Sequence, residues 1–183
     1  MTTLLALLLV ALVAWAIFVF NRLVRLRNQA RTAWADIDVQ LQRRHDLVPP
    51  LVAAVQAYAG HESATLTAVS ELRTQALVQT GPARLGEVES SLERELGRLF
   101  ALQESYPELK ANQNFAQLQR DLVQVEEQLQ YARRFYNGAV RDYNDGSQRV
   151  PDVFVARLAG FKGAEFFQAE AGSRDAVKVE MSR

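Results

Sequence analysis

Residues 4–20, LLALLLVALVAWAIFVF, are apolar without exception, and the first charge after them is Arg22. A helix with no polar face has two stable places, wrapped on all sides by protein or immersed in lipid. At 1.5 Å per residue this run spans about 25 Å, and Thr2, Thr3 and Asn21 extend it close to the ~30 Å hydrocarbon thickness of a bilayer. One transmembrane helix over residues 1–21 is therefore predicted. A cleaved signal peptide ending at Ala14-Trp15-Ala16 is the alternative, but it lacks a basic leading region and would leave Ile17-Phe18-Val19-Phe20 behind the cut.

Arg22, Arg25, Arg27 and Arg31 follow the run with no acid among them, while the other flank is Met1-Thr2-Thr3. Basic residues stay on the cytoplasmic side of a membrane. The expected topology is single-pass, with the N-terminus outside and the C-terminal domain in the cytoplasm. The same arginines lie where anionic headgroups would meet them, although as topogenic charge they need no further role.

With the run set aside, the composition is that of an ordinary soluble domain. The 183 residues contain no cysteine, and 21 basic residues balance 21 acidic ones. This excludes a disulfide framework, thiolate metal sites and a cysteine nucleophile, and argues against nucleic acid as a partner. The balance is not local, because residues 80–146 hold eight basic and eleven acidic residues. Glu87, Glu89, Glu93, Glu95 and Glu104 read as a solvated helix face.

Beyond Phe20 the apolar residues recur at helical spacing, from Leu23, Leu26, Ala30, Ala33 and Ile37 to Leu66, Val69 and Leu72, with no alternating stretch. The fold class is all-α. Pro49-Pro50, Gly81-Pro82, Tyr106-Pro107, Asn144-Asp145-Gly146 and Val150-Pro151 mark the breaks. Neither Gly nor Pro occurs between Met1 and Val48, so the transmembrane helix should continue into the soluble part. At Pro49-Pro50 that helix either kinks or gives way to a new one capped by Asp46. Further helices are expected over about 50–79 and 83–105. Phe115, Leu118, Leu122, Val125, Leu129, Ala132, Tyr136, Ala139 and Tyr143 then alternate steps of three and four, an a/d seam. Residues 22–167 should form an elongated, antiparallel, up-and-down bundle of long helices. Residues 168–183 read as a flexible C-terminal tail. The seam also admits a second copy of the chain, so a homo-oligomer is expected.

Signals for chemistry are weak. His61-Glu62 opens like a zincin helix, but Thr65 stands where the second histidine is needed, and His45 is sixteen residues away. No phosphate loop, nucleophile elbow or inward Glu-x-x-His pair occurs. No catalytic residue, metal or cofactor is assigned. The residues that stand out are polar ones set among core positions: Asp36, Asp38, Arg43, Arg44 and Asp46 in one helix, Arg133, Arg134, Asn137, Arg141 and Asn144 in another. Tyr136-Asn137 and Tyr143-Asn144 repeat at one heptad. Such residues fix register inside a bundle or face a partner.

Ala33-Trp34, Asp36-Ile37-Asp38-Val39-Gln40-Leu41 and Arg43-Arg44-His45-Asp46-Leu47-Val48-Pro49 together resemble the LemA family. So do Tyr58-Ala59 before His61-Glu62, Tyr106-Pro107-Glu108-Leu109-Lys110-Ala111-Asn112 before Asn114-Phe115, Ala132-Arg133-Arg134 before Tyr136-Asn137, then Tyr143-Asn144, Pro151 and Gly160-Phe161. The series runs in family order over roughly residues 21–167. Pro50, Glu127 and Val150 depart from the usual Asn, Asn and aromatic residue. The resemblance implies a bacterial inner-membrane protein with one N-terminal anchor and a cytoplasmic helical bundle, linked to membrane organisation or membrane-protein quality control and supplying no enzyme activity. It also implies a possible partner, a membrane zinc metalloprotease of the HtpX type. The lipid bilayer is a partner in any case. Trp34, the Asp/Arg and Tyr/Asn sets, His61, Glu62, Tyr106, Lys110, Asn112 and Asn114 are the candidate contact or register residues. A metal-dependent hydrolase using His61 and Glu62 is the remaining alternative.

Overall fold

The structure, a computed structural model, describes residues 1–167, so the expected tail at 168–183 lies outside it. Helices are the only regular elements among the described residues. They are α1 Thr2–Gln56, α2 Ser63–Val78, α3 Pro82–Ala101, α4 Pro107–Lys110, α5 Gln113–Gln148 and α6 Asp152–Leu158, with a 3-10 turn at Leu102–Glu104.

The apolar run continues without interruption into the soluble part of α1, as the absence of Gly and Pro requires. Pro49 and Pro50 do not end it. A proline has no amide hydrogen, so Pro49 leaves the carbonyl of His45 without its usual donor four residues on. Arg73 of α2 supplies the replacement, its Nε donating to the His45 oxygen at 2.7 Å. Of the two possibilities at Pro49-Pro50, a helix restarting from Asp46 is thereby excluded. The helix expected over 50–79 is instead two pieces. α1 closes through Tyr58 and Ala59, whose amides both donate to Val55 O at 3.0 and 2.8 Å, and α2 begins after the bend at residues 57–62.

Other boundaries have plain causes. Gly81 adopts φ 98°, a left-handed conformation other residues resist, and Pro82 opens α3 where no amide donor is needed. Asn112 caps α5, its Oδ1 accepting the amides of Asn114 at 2.9 Å and Phe115 at 3.1 Å. The break expected at Asn144-Asp145-Gly146 does not occur, and α5 runs on to Gln148. Gly146 is buried there, and a Cβ on it would come within 2.9 Å of Leu26 Cδ1. Its small size serves packing, not a turn.

The described chain forms two compact units, residues 1–41 with 127–166, and residues 42–126 with Phe167. The second has the larger apolar core. Val48, Leu51 and Val55 of α1, Leu66 and Val69 of α2, Leu92, Leu96 and Leu99 of α3, Leu109 of α4, and Phe115 and Leu122 of α5 are buried together. Each such side chain contributes roughly 1.5–3 kcal/mol. Phe100 meets Phe115 edge-on at 6.1 Å.

In the first unit, Ala30, Ala33, Ile37 and Leu41 of α1 and Leu129, Tyr136, Ala139, Val140 and Tyr143 of α5 are buried. Trp34 lies against Tyr136 with ring centroids 5.3 Å apart. A smaller cluster forms around Val19 and Leu23, covered by Ala156 of α6 with Trp15, Val155 and Phe161 beside it. All nine residues of the a/d seam are buried or half-buried by the chain itself.

Candidate interaction surfaces

The most deeply buried polar group lies in residues 42–126. α1 carries Arg44 and His45 inward on consecutive positions, and α3 presents Glu89, which is wholly buried. Glu89 pairs with Arg44 through one carboxylate oxygen. The other oxygen accepts from His45 Nε2 at 2.7 Å. Arg44 also donates from Nη1 to Glu126 of α5 at 2.9 Å. Burial by itself would raise the Glu89 pKa, but the hydrogen bond from His45 and the guanidinium of Arg44 outweigh it and hold the carboxyl below its ordinary range. This corrects the reading of Glu89 as part of a solvated face. Glu89 sits in the stripe Leu85, Leu92, Leu96 and Leu99 at helical spacing, and that position was the signal for burial.

The group joins α1, α3 and α5 at one point but has the features of an internal brace. His45 and Glu89 are both buried. His61 is exposed, and Glu62 stands at the start of α2 without a side-chain capping bond. No cluster of three or more metal-ligating His, Cys, Asp or Glu side chains forms among the described residues.

In residues 1–41 with 127–166 the Tyr/Asn repeat holds the segment after α6 against α5. Tyr136 Oη donates to Glu165 O at 2.7 Å, and Tyr143 Oη donates to Lys162 O at 2.7 Å. Asn144 does both jobs of an amide, donating to Ala164 O at 2.9 Å and accepting from Ala164 N at 2.8 Å. Burial and then the charge of Glu165 push the Tyr136 phenol up to about 12. Burial also raises Tyr143, against the opposing pull of Arg27 and Arg31. The repeat thus fixes an extended strap of the same chain, where the sequence suggested a neighbouring helix.

The other predicted residues divide between inside and outside. Arg133 is buried and Asn137 half-buried, while Asp36, Asp38, Arg43, Asp46, Lys110, Asn114, Arg134 and Arg141 are exposed. Tyr106 packs at the edge of the second unit's core, and Asn112 Nδ2 donates to Tyr58 Oη at 3.0 Å. Of the four membrane-flanking arginines, Arg22 pairs with Asp152 at 2.9 Å, and Arg25, Arg27 and Arg31 are exposed.

Open recesses occur in both units of the described residues. In the first unit, Asp36 and Gln40 of α1 border a groove of about 330 Å³ with Tyr131 and Phe135 of α5. Val39, Tyr131 and Phe135 are more than half exposed there, and the Arg134 guanidinium lies over the Tyr131 ring at 4.8 Å. In the second unit, Val52 and Gln56 of α1 and Leu66, Ser70, Glu71 and Thr74 of α2 line a groove of about 560 Å³. The groove-lining aromatics, Glu89, Glu126 and Arg73 were not singled out from sequence, because their roles depend on pairings across distant helices.

The LemA family model matches residues 33–181. Among curated proteins, the chain is similar to the magnetosome proteins MamQ 2 and MamQ 1 of Paramagnetospirillum magneticum. Each is 26% identical over 188 residues, covering 87% of this chain and 68% of the relative. The magnetosome protein MamQ of Magnetospirillum gryphiswaldense is 22% identical over 185 residues with the same coverage.

Proposed function

The chain belongs to the LemA family, and from that premise we propose that it is a non-catalytic helical scaffold, anchored in a bacterial inner membrane, that holds other membrane components at the cytoplasmic face. The observation that carries this reading is the contrast along α1. Leu4, Leu5, Leu7, Leu8, Leu9 and Val10 are all more than 60% exposed. The same helix from Ala30 onward buries one face in the fold. An apolar surface of that extent is stable only in lipid. The basic collar supports a cytoplasmic position for the folded part, since basic residues favour that side.

The remaining chemistry supports a binding role over a catalytic one. Glu89 engages both Arg44 and His45 inside the fold, and Tyr136, Tyr143 and Asn144 are occupied by the strap. The exposed groove of Val39, Tyr131 and Phe135 beside Asp36 remains available to a partner, and aromatic residues at an open surface are the usual anchors of protein contacts. The MamQ relatives are named as magnetosome proteins, and association with an assembly at a membrane is in keeping with this reading of the present chain.

Alkaline carbonate extraction should leave the full chain in the membrane pellet, and a cytoplasmic reporter fused to the C-terminus should be active. Co-purification from native membranes should yield a membrane-protein partner whose recovery falls at least fivefold with Phe135→Glu. A membrane zinc protease in that position would specify the adaptor form of the proposal. Carbonate release, or stoichiometric metal with hydrolytic turnover abolished by His61→Ala, would overturn it.

A further inference from the structure

α6 begins at the level of the arginine collar and runs toward the membrane interior. Its first residue, Asp152, is bridged to Arg22 at 2.9 Å. Its middle, Ala156 with Val155, covers Val19 and Leu23. Its end, Leu158 and Ala159, lines an apolar groove of about 330 Å³ with Val13, Ala16 and Ile17 of α1. The lengths agree. Six residues of α6 from Asp152 to Leu158 and six of α1 from Arg22 to Ala16 each rise about 9 Å, so the two helices run antiparallel and in step.

The chain then turns and comes out. Gly160 takes φ 72°, Phe161 N donates to Ala156 O at 2.9 Å, and Gly160 N donates to Arg157 O at 3.2 Å. This is a Schellman closure, with Ala156 and Phe161 in the same apolar cluster. It satisfies the last backbone carbonyls of α6 within the chain, as a low-dielectric medium would require. Phe161 returns beside Phe20, edge-on at 5.6 Å. By Lys162, whose carbonyl accepts from Tyr143, the segment is back against α5.

On α6 the exposed side chains include Phe154 and Leu158, four residues apart and 66% and 92% exposed, with exposed Arg157 between them. An aqueous surface gives no account of a leucine so exposed next to a phenylalanine at one turn. A bilayer does, because the partner helix at this level, residues 13–20, is itself the membrane run. Arg157 lies about 7.5 Å below Arg22 along the helix, within roughly the reach of its own side chain to the headgroup layer.

We propose that residues 152–162 form a short re-entrant hairpin that enters the cytoplasmic leaflet beside α1, with Phe154 and Leu158 in contact with acyl chains and Arg157 at the phosphates, so that the protein touches lipid at two separate segments. The proposal rests on the membrane-anchor reading above.

The absence of cysteine makes the test direct. Single nitroxide labels are placed on the full chain through Val13→Cys, Phe154→Cys, Leu158→Cys and Glu127→Cys, all at exposed positions, in vesicles of phosphatidylcholine with phosphatidylglycerol. Relaxation by oxygen, which concentrates in lipid, is compared with relaxation by a water-soluble nickel chelate. Positions 13, 154 and 158 should favour oxygen severalfold, 158 more than 154, and position 127 should favour nickel. Nickel preference at 154 and 158 with position 13 in lipid would overturn the hairpin while leaving the anchor intact. Protection of 154 and 158 from both reagents would mean that protein covers them, and would overturn it equally. Nickel preference at position 13 would remove the anchor reading itself.

Discussion

In residues 42–126 the buried polar atoms carry charge and answer one another across helices, as Arg44, Glu89 and Glu126 do. Residues 1–41 with 127–166 also bury Arg133 and pair Asp152 with Arg22, but there the strap is held by the neutral phenols of Tyr136 and Tyr143 and the amide of Asn144, whose partners are backbone atoms. The difference lies in what each arrangement can tolerate. A buried charge left without its partner is expensive, and breaking such a pair typically costs several kcal/mol. A neutral hydrogen bond at a half-buried strap costs less to break and affects the strap alone.

Glu89→Ala should produce the largest effect, about 3–5 kcal/mol of lost stability, seen as lower protection of α1, α3 and α5 amides in hydrogen exchange. Adding Arg44→Met should cost less than the sum of the two single changes, since the uncompensated charge is gone. An additive result would mean that the two side chains act independently.

The units should also fail at opposite ends of the pH scale. The folded pKa of Glu89 is depressed below 4.5, so its contribution is present above that value and disappears as pH falls through the lower folded one. That of Tyr136 is raised from 10.0 to about 12, so its contribution is complete below pH 10 and declines as pH rises toward 12. Acid should expose the Glu89 region first. Base should first change the emission of Trp34, which lies on Tyr136, measured in a Trp15→Phe background. Simultaneous loss of both regions at both extremes would break the comparison.

Asn144→Ala removes two bonds to Ala164 and should cost about 1–2 kcal/mol. It should appear as faster amide exchange at residues 161–166 with little change in the second unit's melting. The smallest effect is expected at Gly146. Gly146→Ala gains up to ~1 kcal/mol of helix propensity and moves only the flexible end of Leu26, so a slight rise in melting temperature should result. A clear fall would show that Leu26 is held fixed.

What the sequence revealed follows the range of the interactions. The apolar N-terminal helix, its uninterrupted continuation and the burial of the a/d seam depend on periodicity within one element, and each is present as read. The strongest local punctuation misled twice. Pro49-Pro50 failed to stop α1 because Arg73 replaces the missing donor, and Asn144-Asp145-Gly146 failed to stop α5 because Gly146 packs under Leu26. Meanwhile the real bend at residues 57–62 carries one glycine as its only mark. For Glu89, charge suggested solvent and position suggested the core, and only its distant partners Arg44 and Glu126 decide between them.

The proline at position 49 has a further consequence for how such chains diverge. A carbonyl freed in mid-helix is harmless only while a donor sits beside it, and here that donor lies 24 positions later in a different helix. Residues 49 and 73 should accordingly change together among related sequences. A relative with an ordinary residue at 49 is free to lose the arginine, while one that keeps the proline needs a long donor at 73 or water in its place.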